Sequence, residues 1–446
     1  MPSGNGRSSD QSDQAGGVPV RRVVTVICDS LRRDLLSEAR TPVLWRLAQR
    51  GTWFSNARSV FPSTTRTSSA SIATGCHPAR HGLAGNCVIL SEGDGLVCCN
   101  VGNPTFRDRL EKATGQTLRV PVLAEYVKPV GHALIMSNVS AGAAYFHDPD
   151  GHGEVFHRAG SYGPGRIPLA DDPLRHIRSG ADGDAVMTGH FVERLKADPS
   201  LVAATLWLSE PDHSGHRSPL GSPEHLCGID SAQRCVARVA DVVDSLREAG
   251  QDILMIVGSD HGMQTVTVEV PVIALMVAAG LKDALDSREV VLAPNGTAFT
   301  VGIADACAQR VGDIAAWLRE QPWVGAVYTG EALGKLGLAS SRECRIAVTM
   351  AADESRNPFG VAGGSAYIED PDEAGSYLDR GQHGGLGARE QSPFLFMSGR
   401  GFEAGAIRAE RVSLVDYLPT ALAHLHVDVA GLDGRPLQLP RDRKTC

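Results

Sequence analysis

The chain has 446 residues, enough for a large core and for two or three domains, and a net charge of −8 from 43 Lys+Arg against 51 Asp+Glu. That balance argues against a protein that works on nucleic-acid polymers through a basic face, so a small anionic substrate has to be drawn by local charge, above all by metal ions. Ten cysteines are too sparse for a disulfide framework, and with no Cys-x-x-Cys pair and Cys98–Cys99 adjacent they do not form a cysteine-based zinc module either.

Residues 1–20 are polar, rich in Gly, Ser and Gln, and lack an apolar h-region, so they read as a disordered tail and not as a signal peptide. No run approaches the roughly 18 apolar residues of a membrane span. A soluble, cytoplasmic protein without membrane partners is expected, and the sequons at Asn138 and Asn295 are then chance matches. Residues 22–28 form an apolar run that reads as a buried strand, and it ends at Asp29. Thr41 to Arg50 read as a helix with Thr41 as cap, Pro42 in the first turn and Gly51 as stop. Thr67 to Ala73 read as a helix just after Thr65. Leu201–Leu208 and Ile253–Val257 are further buried strands, separated by a helix over roughly 228–249. This alternation predicts an α/β fold with a mainly parallel central sheet flanked by helices.

Two segments interrupt the rhythm. Residues 139–190 are rich in Gly, His and Asp with few periodic elements, and read as a long excursion near the site. Residues 270–379 hold a strand–helix–strand unit (Gly296–Val301, Ala306–Glu320 with Asp305 as cap, Trp323–Thr329) and read as an inserted α+β cap. The core is then 21–269 together with 380–446, ending in an amphipathic helix over Arg411–Leu425 that is opened by Ser413 and Asp416.

The chemistry lies in scattered residues. Asp29 ends the first strand, Asp212 and His216 stand four apart after the second, Asp260-His261 close the third, and His383 sits in Gly381-Gln382-His383-Gly384-Gly385. Three carboxylates and three imidazoles suit paired Zn²⁺-like ions, with Asp29, Asp260 and His261 at one and Asp212, His216 and His383 at the other. Mn²⁺ and Fe accept the same ligands. The Thr65 hydroxyl is a nucleophile such ions activate, so Thr65 is counted with both the metal and the catalytic residues. Each motif alone has a plain reading, an exposed polar loop or an acidic helix cap; their combination points to phosphoryl transfer. His213 is the rival ligand inside its own motif and is taken either as a support behind the ligands or as a substrate contact.

The stretch Pro62 to Asn86 closely resembles the nucleotide pyrophosphatase/phosphodiesterase branch of the alkaline phosphatase superfamily. It places Thr65 three residues after Pro62, then Thr74-Gly75-Cys76-His77-Pro78-Ala79-Arg80-His81-Gly82, and ends at Asn86. The segments around Asp212, Asp260 and His383, and Leu414–Thr420 near the end, resemble the other motifs of that branch. The resemblance implies an alkaline-phosphatase-like fold, two divalent ions, a covalent phosphothreonine at Thr65, and an Asn86 amide on a phosphoryl oxygen. The substrate it implies is a small phosphorylated molecule such as a nucleotide. Ser68 departs from relatives that carry Asn at that position. Cys76-His77-Pro78-Ala79-Arg80 spells the sulfatase pattern, but Thr74-Gly75 precedes Cys76, so Thr65 occupies the nucleophile position.

Rival readings are a phosphonate C–P hydrolase, a phosphomonoesterase and a catalytically silent metal-binding protein. The first needs cations for a substrate carboxylate, for which Lys128 and Arg107 or Arg109 are the candidates. Arg66, beside the nucleophile, reads as a solvent-facing helix residue. The neutral Asn86 then favours a singly charged diester over a doubly charged monoester.

Overall fold

The computed structural model describes residues 20–371 and 375–439; residues 1–19 of the expected tail lie outside them. A ten-stranded sheet runs Ile407–Arg408, Thr52–Phe54, Leu395–Ser398, Asp252–Gly258, Arg21–Cys28, Leu201–Leu208, His132–Ser137, Glu154–Phe156, Tyr162–Gly163, Ile167–Pro168. Its centre is parallel, with Ile27 opposite Trp207 on one side and Gly258 on the other. The central strands are β-branched and apolar because both faces are covered. Val24, Val26 and Cys28 pack on one face with Val236, Val239 and Val243 of the helix Pro223–Glu248. Val23 and Ile27 pack on the other with Ala70 and Ala73 of the helix Thr65–Thr74 and with Leu418 and Leu422 of the helix Tyr417–Leu425. Alternate side chains of one strand thus feed two separate cores. The result is the α/β, alkaline-phosphatase-like core with a mainly parallel sheet that the sequence leads one to expect.

Several local expectations change. The helix after Thr64 begins at Thr65 itself, and the long helix begins at Pro223, where the Ser222 hydroxyl accepts from the His225 N–H at 3.3 Å. Thr41 precedes its helix, but its hydroxyl accepts from the Ser37 N–H at 3.1 Å instead of capping. Residues 139–190 are more ordered than their composition suggests: they supply the helix Ala141–His147, three short strands on the sheet edge, and the start of the helix Ala181–Ala197. Their glycines form turns between these pieces, which hid the periodicity. The C-terminal helix is not amphipathic; every residue of Tyr417–Leu425 except Ala423 is buried, because it is wedged against the first strand and the helix Thr65–Thr74. The helix starts at Tyr417 and not at Arg411; Ser413 and Asp416 form a capping box on the 3₁₀ turn Leu414–Asp416 just ahead of it, with Asp416 accepting from the Ser413 N–H at 2.8 Å.

Within 270–379, Val290–Pro294, Ala298–Ile303, Ile346–Met350 and Val324–Thr329 form an antiparallel sheet in that order, covered by the helix Arg310–Arg319. The expected strand–helix–strand unit is therefore split: Ile346–Met350 lies between its two strands. Asp305 sits in a short 3₁₀ turn ahead of the helix and does not cap it. A second sheet, Ala352–Arg356, Ala362–Ile368, Gln264–Val270, Gly381–Gln382, carries the chain back to His383.

Candidate active site

Three neighbouring parallel strands end side by side, and each delivers side chains just past its C-terminal end, the usual location of a site in such sheets. Arg21–Cys28 delivers Asp29, Leu201–Leu208 delivers Asp212 and His216 on the short helix Asp212–Arg217, and Asp252–Gly258 delivers Asp260 and His261. The fourth strand, His132–Ser137, leads into Asn138, Val139 and Ser140 at the same edge. Gly381–Gln382 pairs with Gln264 and so brings His383 to this edge from the far end of the chain. Gly384 has φ +133, and a Cβ there would lie 1.7 Å from the Asn295 carbonyl oxygen, so only glycine lets the His383 loop pass.

The sequence-predicted ligands fall into two groups, Asp29, Asp260, His261 and Asp212, His216, His383, each with its ligand atoms within 4.8 Å of one another. The His261 and His383 rings stack at 3.8 Å between centroids, so the groups adjoin. In each histidine Nδ1 faces an acceptor: His216 the Gly381 carbonyl at 2.9 Å, His383 the Ser63 carbonyl at 2.9 Å, His261 the Ser30 hydroxyl at 3.0 Å. That arrangement places the proton on Nδ1 and turns Nε2 inward as a ligand atom. His261 Nε2 lies 2.9 Å from Asp260 Oδ2, and His216 Nε2 3.2 Å from Asp212 Oδ1. Asp29 Oδ1 and Asp260 Oδ2 are buried without a hydrogen-bond partner, while Asp29 Oδ2 accepts from the Trp207 indole at 3.2 Å. Two orphaned carboxylate oxygens and an inward imidazole nitrogen fit a divalent cation.

The titration behaviour has the same origin. Burial pushes the Asp29 carboxyl well above the usual carboxylate range, and Asp260 and Asp212 push it further. Burial acts likewise on Asp212, but the His216, His383 and His261 imidazoles outweigh it and hold it below its ordinary value. Burial, then the neighbouring His261, drives His383 well down. Burial also opposes charge on His261, but the neighbouring Asp260 carries that imidazole above its ordinary value.

Thr65 opens its helix with Oγ1 3.2 Å from His261 Nε2. As the first helical residue its N–H has no intrahelical acceptor, and the helix dipole favours negative charge there. Thr64 turns away and bonds the Thr67 hydroxyl at 2.9 Å, which leaves Thr65 as the threonine that faces the cavity. Asn86 faces it as well: its Oδ1 accepts from the Arg66 N–H at 3.3 Å, so the group it offers a ligand is the amide NH₂. The Asn86 backbone is held by Asn295 Oδ1 at 2.6 Å, a support that lies 209 residues away in sequence. Glu390, fully buried, accepts from the Gly385 and Gly387 N–H groups at 2.9 and 2.7 Å, and its carbonyl takes the Gly262 N–H at 2.8 Å. One residue thus ties the His383 loop to the turn after His261.

The cavity over these groups measures about 360 Å³, at the small end for ligand pockets. Arg66 lines it, contrary to the solvent-facing expectation, because its guanidinium folds back onto the Asn86 carbonyl at 2.7 Å, Asn100 Oδ1 at 2.9 Å and Ser140 Oγ at 3.1 Å. Arg158 and Arg217 line it too and were not singled out in the sequence, since neither lies in a motif. Lys128, Arg107 and Arg109 do not line it: Lys128 meets His152, Arg107 pairs with Asp108, Glu111 and Asp150, and Arg109 pairs with Glu92. His213 borders the cavity outside both ligand groups. Ser68 is fully buried and faces no ligand space, and Cys76 of the sulfatase-like pattern is buried away from the cavity. Asn138 and Asn295 of the two sequons are buried as well.

Among solved structures the chain is similar to murine ectonucleotide pyrophosphatase/phosphodiesterase 5, an inactive variant in complex with AMP, at 15% identity and TM-score 0.65 over 93% of this chain and 97% of that one. It is also similar to phosphonoacetate hydrolase from Sinorhizobium meliloti 1021 in complex with phosphonoformate, at 19% identity and TM-score 0.66 over 91% and 96%. These likenesses establish the fold class. The family model for type I phosphodiesterase / nucleotide pyrophosphatase matches residues 23–304, more than half of the chain, and the chain belongs to that family. The Bis(5'-adenosyl)-triphosphatase ENPP4 of Pongo abelii is 23% identical over 264 residues, 57% of this chain; the chain spans 50% of that relative's length.

Proposed function

We propose that this chain is a hydrolase of phosphodiester or pyrophosphate bonds that works through Thr65 with two divalent ions, Zn²⁺ first, with Mn²⁺ and Fe as alternatives. The observation that carries the reading is the Thr65 hydroxyl beside His261, at the edge of two adjoining three-residue ligand groups. Asp29, Asp260 and His261 would hold one ion and Asp212, His216 and His383 the other. Ions bound there supply charge neutralisation and a lowered hydroxyl pKa. Thr65 Oγ attacks phosphorus, loses its proton, and displaces the leaving alcohol or phosphate, which departs protonated as solvent requires. Water then attacks the phosphothreonine and frees Thr65. Two in-line displacements leave the configuration at phosphorus unchanged. The Asn86 NH₂ and the Thr65 N–H donate to equatorial oxygens as charge shifts onto them.

The core at 21–269 and 380–446, the inserted unit at 270–379 and a cytoplasmic location belong to the same proposal; the nine described cysteines are all unbridged, which suits a reducing compartment. Small phosphorylated molecules are the proposed partners, not nucleic-acid polymers or membranes.

One observation favours the phosphonate reading as a second. The neutral Asn86 favours a diester over a doubly charged monoester only where the wall lacks further cations; Arg66, Arg158 and Arg217 line the cavity, which suits a monoester and a carboxylate-bearing phosphonate alike. A panel on metal-loaded enzyme tests both: bis(4-nitrophenyl) phosphate, a dinucleoside polyphosphate, 4-nitrophenyl phosphate and phosphonoacetate. Diester or anhydride turnover above the monoester supports the lead reading, and turnover of phosphonoacetate alone replaces it with C–P hydrolysis.

A further inference from the structure

Arg158 and Arg66 approach one short segment of the cavity wall from two elements. Arg158 directs its NH1 group to the carbonyls of Asn138 and Val139, the latter at 2.6 Å, and Arg66 directs Nε to the hydroxyl of Ser140, the next residue, at 3.1 Å. Arg158 is half-buried, and burial lowers its pKa more than the neighbouring Asp184 carboxylate raises it; among the described residues no carboxylate lies within ion-pair distance of it. Backbone carbonyls fix the orientation of such a group without neutralising it, so its charge stays available to the cavity. Arg66 adjoins Thr65 in sequence, and Asn86, Asn100 and Ser140 are among the groups that orient it. Tyr367 and Tyr377 are the only Phe, Tyr or Trp side chains lining the cavity among the described residues, and the cavity is small. A compact, doubly anionic ligand suits this wall better than a large apolar one.

We propose that Arg158 and Arg66, anchored on residues 138–140, form a subsite for a second anionic group of the substrate, a carboxylate or a second phosphoryl group, a short distance from the phosphorus attacked by Thr65. The subsite rests on the reading of Thr65 and the two ions as the reacting centre. It narrows the substrate to small phosphoryl compounds that carry another anion on the leaving or retained group. The guanidiniums act by binding and orienting; they take no part in bond breaking.

The test uses the metal-loaded full chain and a matched series of 4-nitrophenyl alkyl phosphates whose alkyl group ends in a methyl, a carboxylate or a phosphonate. Wild type is expected to prefer at least one anionic member over the methyl member in kcat/KM by about tenfold to a hundredfold, through KM. Arg158→Gln should collapse that ratio, and Arg158→Lys should restore part of it; loss of a purely structural bridge between carbonyls would change every member of the series alike and leave the ratio unmoved. Carboxylate preference and phosphonate preference distinguish the two sources of the anion. Equal kcat/KM across the series in wild type, or an unchanged ratio in a folded, metal-replete Arg158→Gln, overturns the subsite. Absence of metal-dependent turnover of every member by wild type would instead overturn the reading of the reacting centre. If Arg158→Gln does not fold, Arg66→Gln is measured on the same ratio with the same two outcomes.

Discussion

The Ser30 hydroxyl donates to Asp212 Oδ1 at 2.6 Å, and the same oxygen lies 3.0 Å from His261 Nδ1. A carboxylate can only accept, so the Ser30 proton goes to Asp212 and its oxygen accepts from the His261 N–H. One side chain therefore orients a ligand in each of the two groups. Ser30 holds φ +61, a left-handed conformation uncommon outside glycine, directly after Asp29.

Ser30→Gly separates the backbone from the hydroxyl, since glycine adopts that φ without strain. The variant should keep or raise the thermal stability of the chelated protein while its affinity for Zn²⁺ or Mn²⁺ falls by about 10- to 100-fold. Calorimetric titration reads this directly, and unchanged affinity would assign Ser30 no part in the ligand groups.

Thr65→Ala should retain fold and metal content and lose activity on the order of 10³-fold or more, with Thr65→Ser keeping part of it. Thr64→Ala should remain active, because Thr64 faces inward onto Thr67. Steady-state kinetics on an aryl diester decides; a dead Thr64→Ala beside an active Thr65→Ala shifts the nucleophile by one.

Glu390→Ala removes the acceptor for the Gly385 and Gly387 N–H groups in the His383 loop. The Gly385 N–H keeps the Thr297 hydroxyl as acceptor at 2.8 Å, so the Gly387 N–H is the group left buried and unpaired, which should cost about 1–3 kcal/mol, seen as a lower urea midpoint, together with weaker metal binding. A variant as stable as wild type would show that the loop is held by other contacts.

Four buried histidines outside the ligand groups bear on acid stability. Burial lowers His81 from 6.5 to about 3, and His147, His157 and His225 each to about 4. Their folded pKa values lie below the unfolded one, so their stability contribution is complete above pH 6.5 and is lost as pH falls toward 4; each unit is worth about 1.4 kcal/mol. Unfolding of the chelated protein at pH 5 should take up protons, with Tm falling steadily from pH 6.5 to 4. A flat Tm over that interval would contradict their neutral burial.

The sequence disclosed most of the ligand set because each ligand follows an apolar run, and parallel strands end together at one edge. Asp29, Asp212, Asp260 and His261 could be read locally in this way, while Thr65, at the start of a helix, was legible from the Pro62–Asn86 resemblance. Arg158 could not: it is placed by a short sheet-edge segment whose glycine turns conceal its order. Asn295 and Glu390 support Asn86 and His383 from 209 and 7 residues away in sequence, through contacts that carry no local period. Arg66 read as solvent-facing since helix position alone does not reveal that its guanidinium folds onto Asn86, Asn100 and Ser140.

The central claim is that Thr65 forms a covalent phosphoryl intermediate, and the stereochemical course at phosphorus tests it most directly. A chiral phosphorothioate diester, hydrolysed by metal-loaded enzyme in isotopically labelled water, should give product of retained configuration, because two in-line displacements cancel. Inversion would mean that water attacks the substrate in a single step, and Thr65 would lose its role as nucleophile.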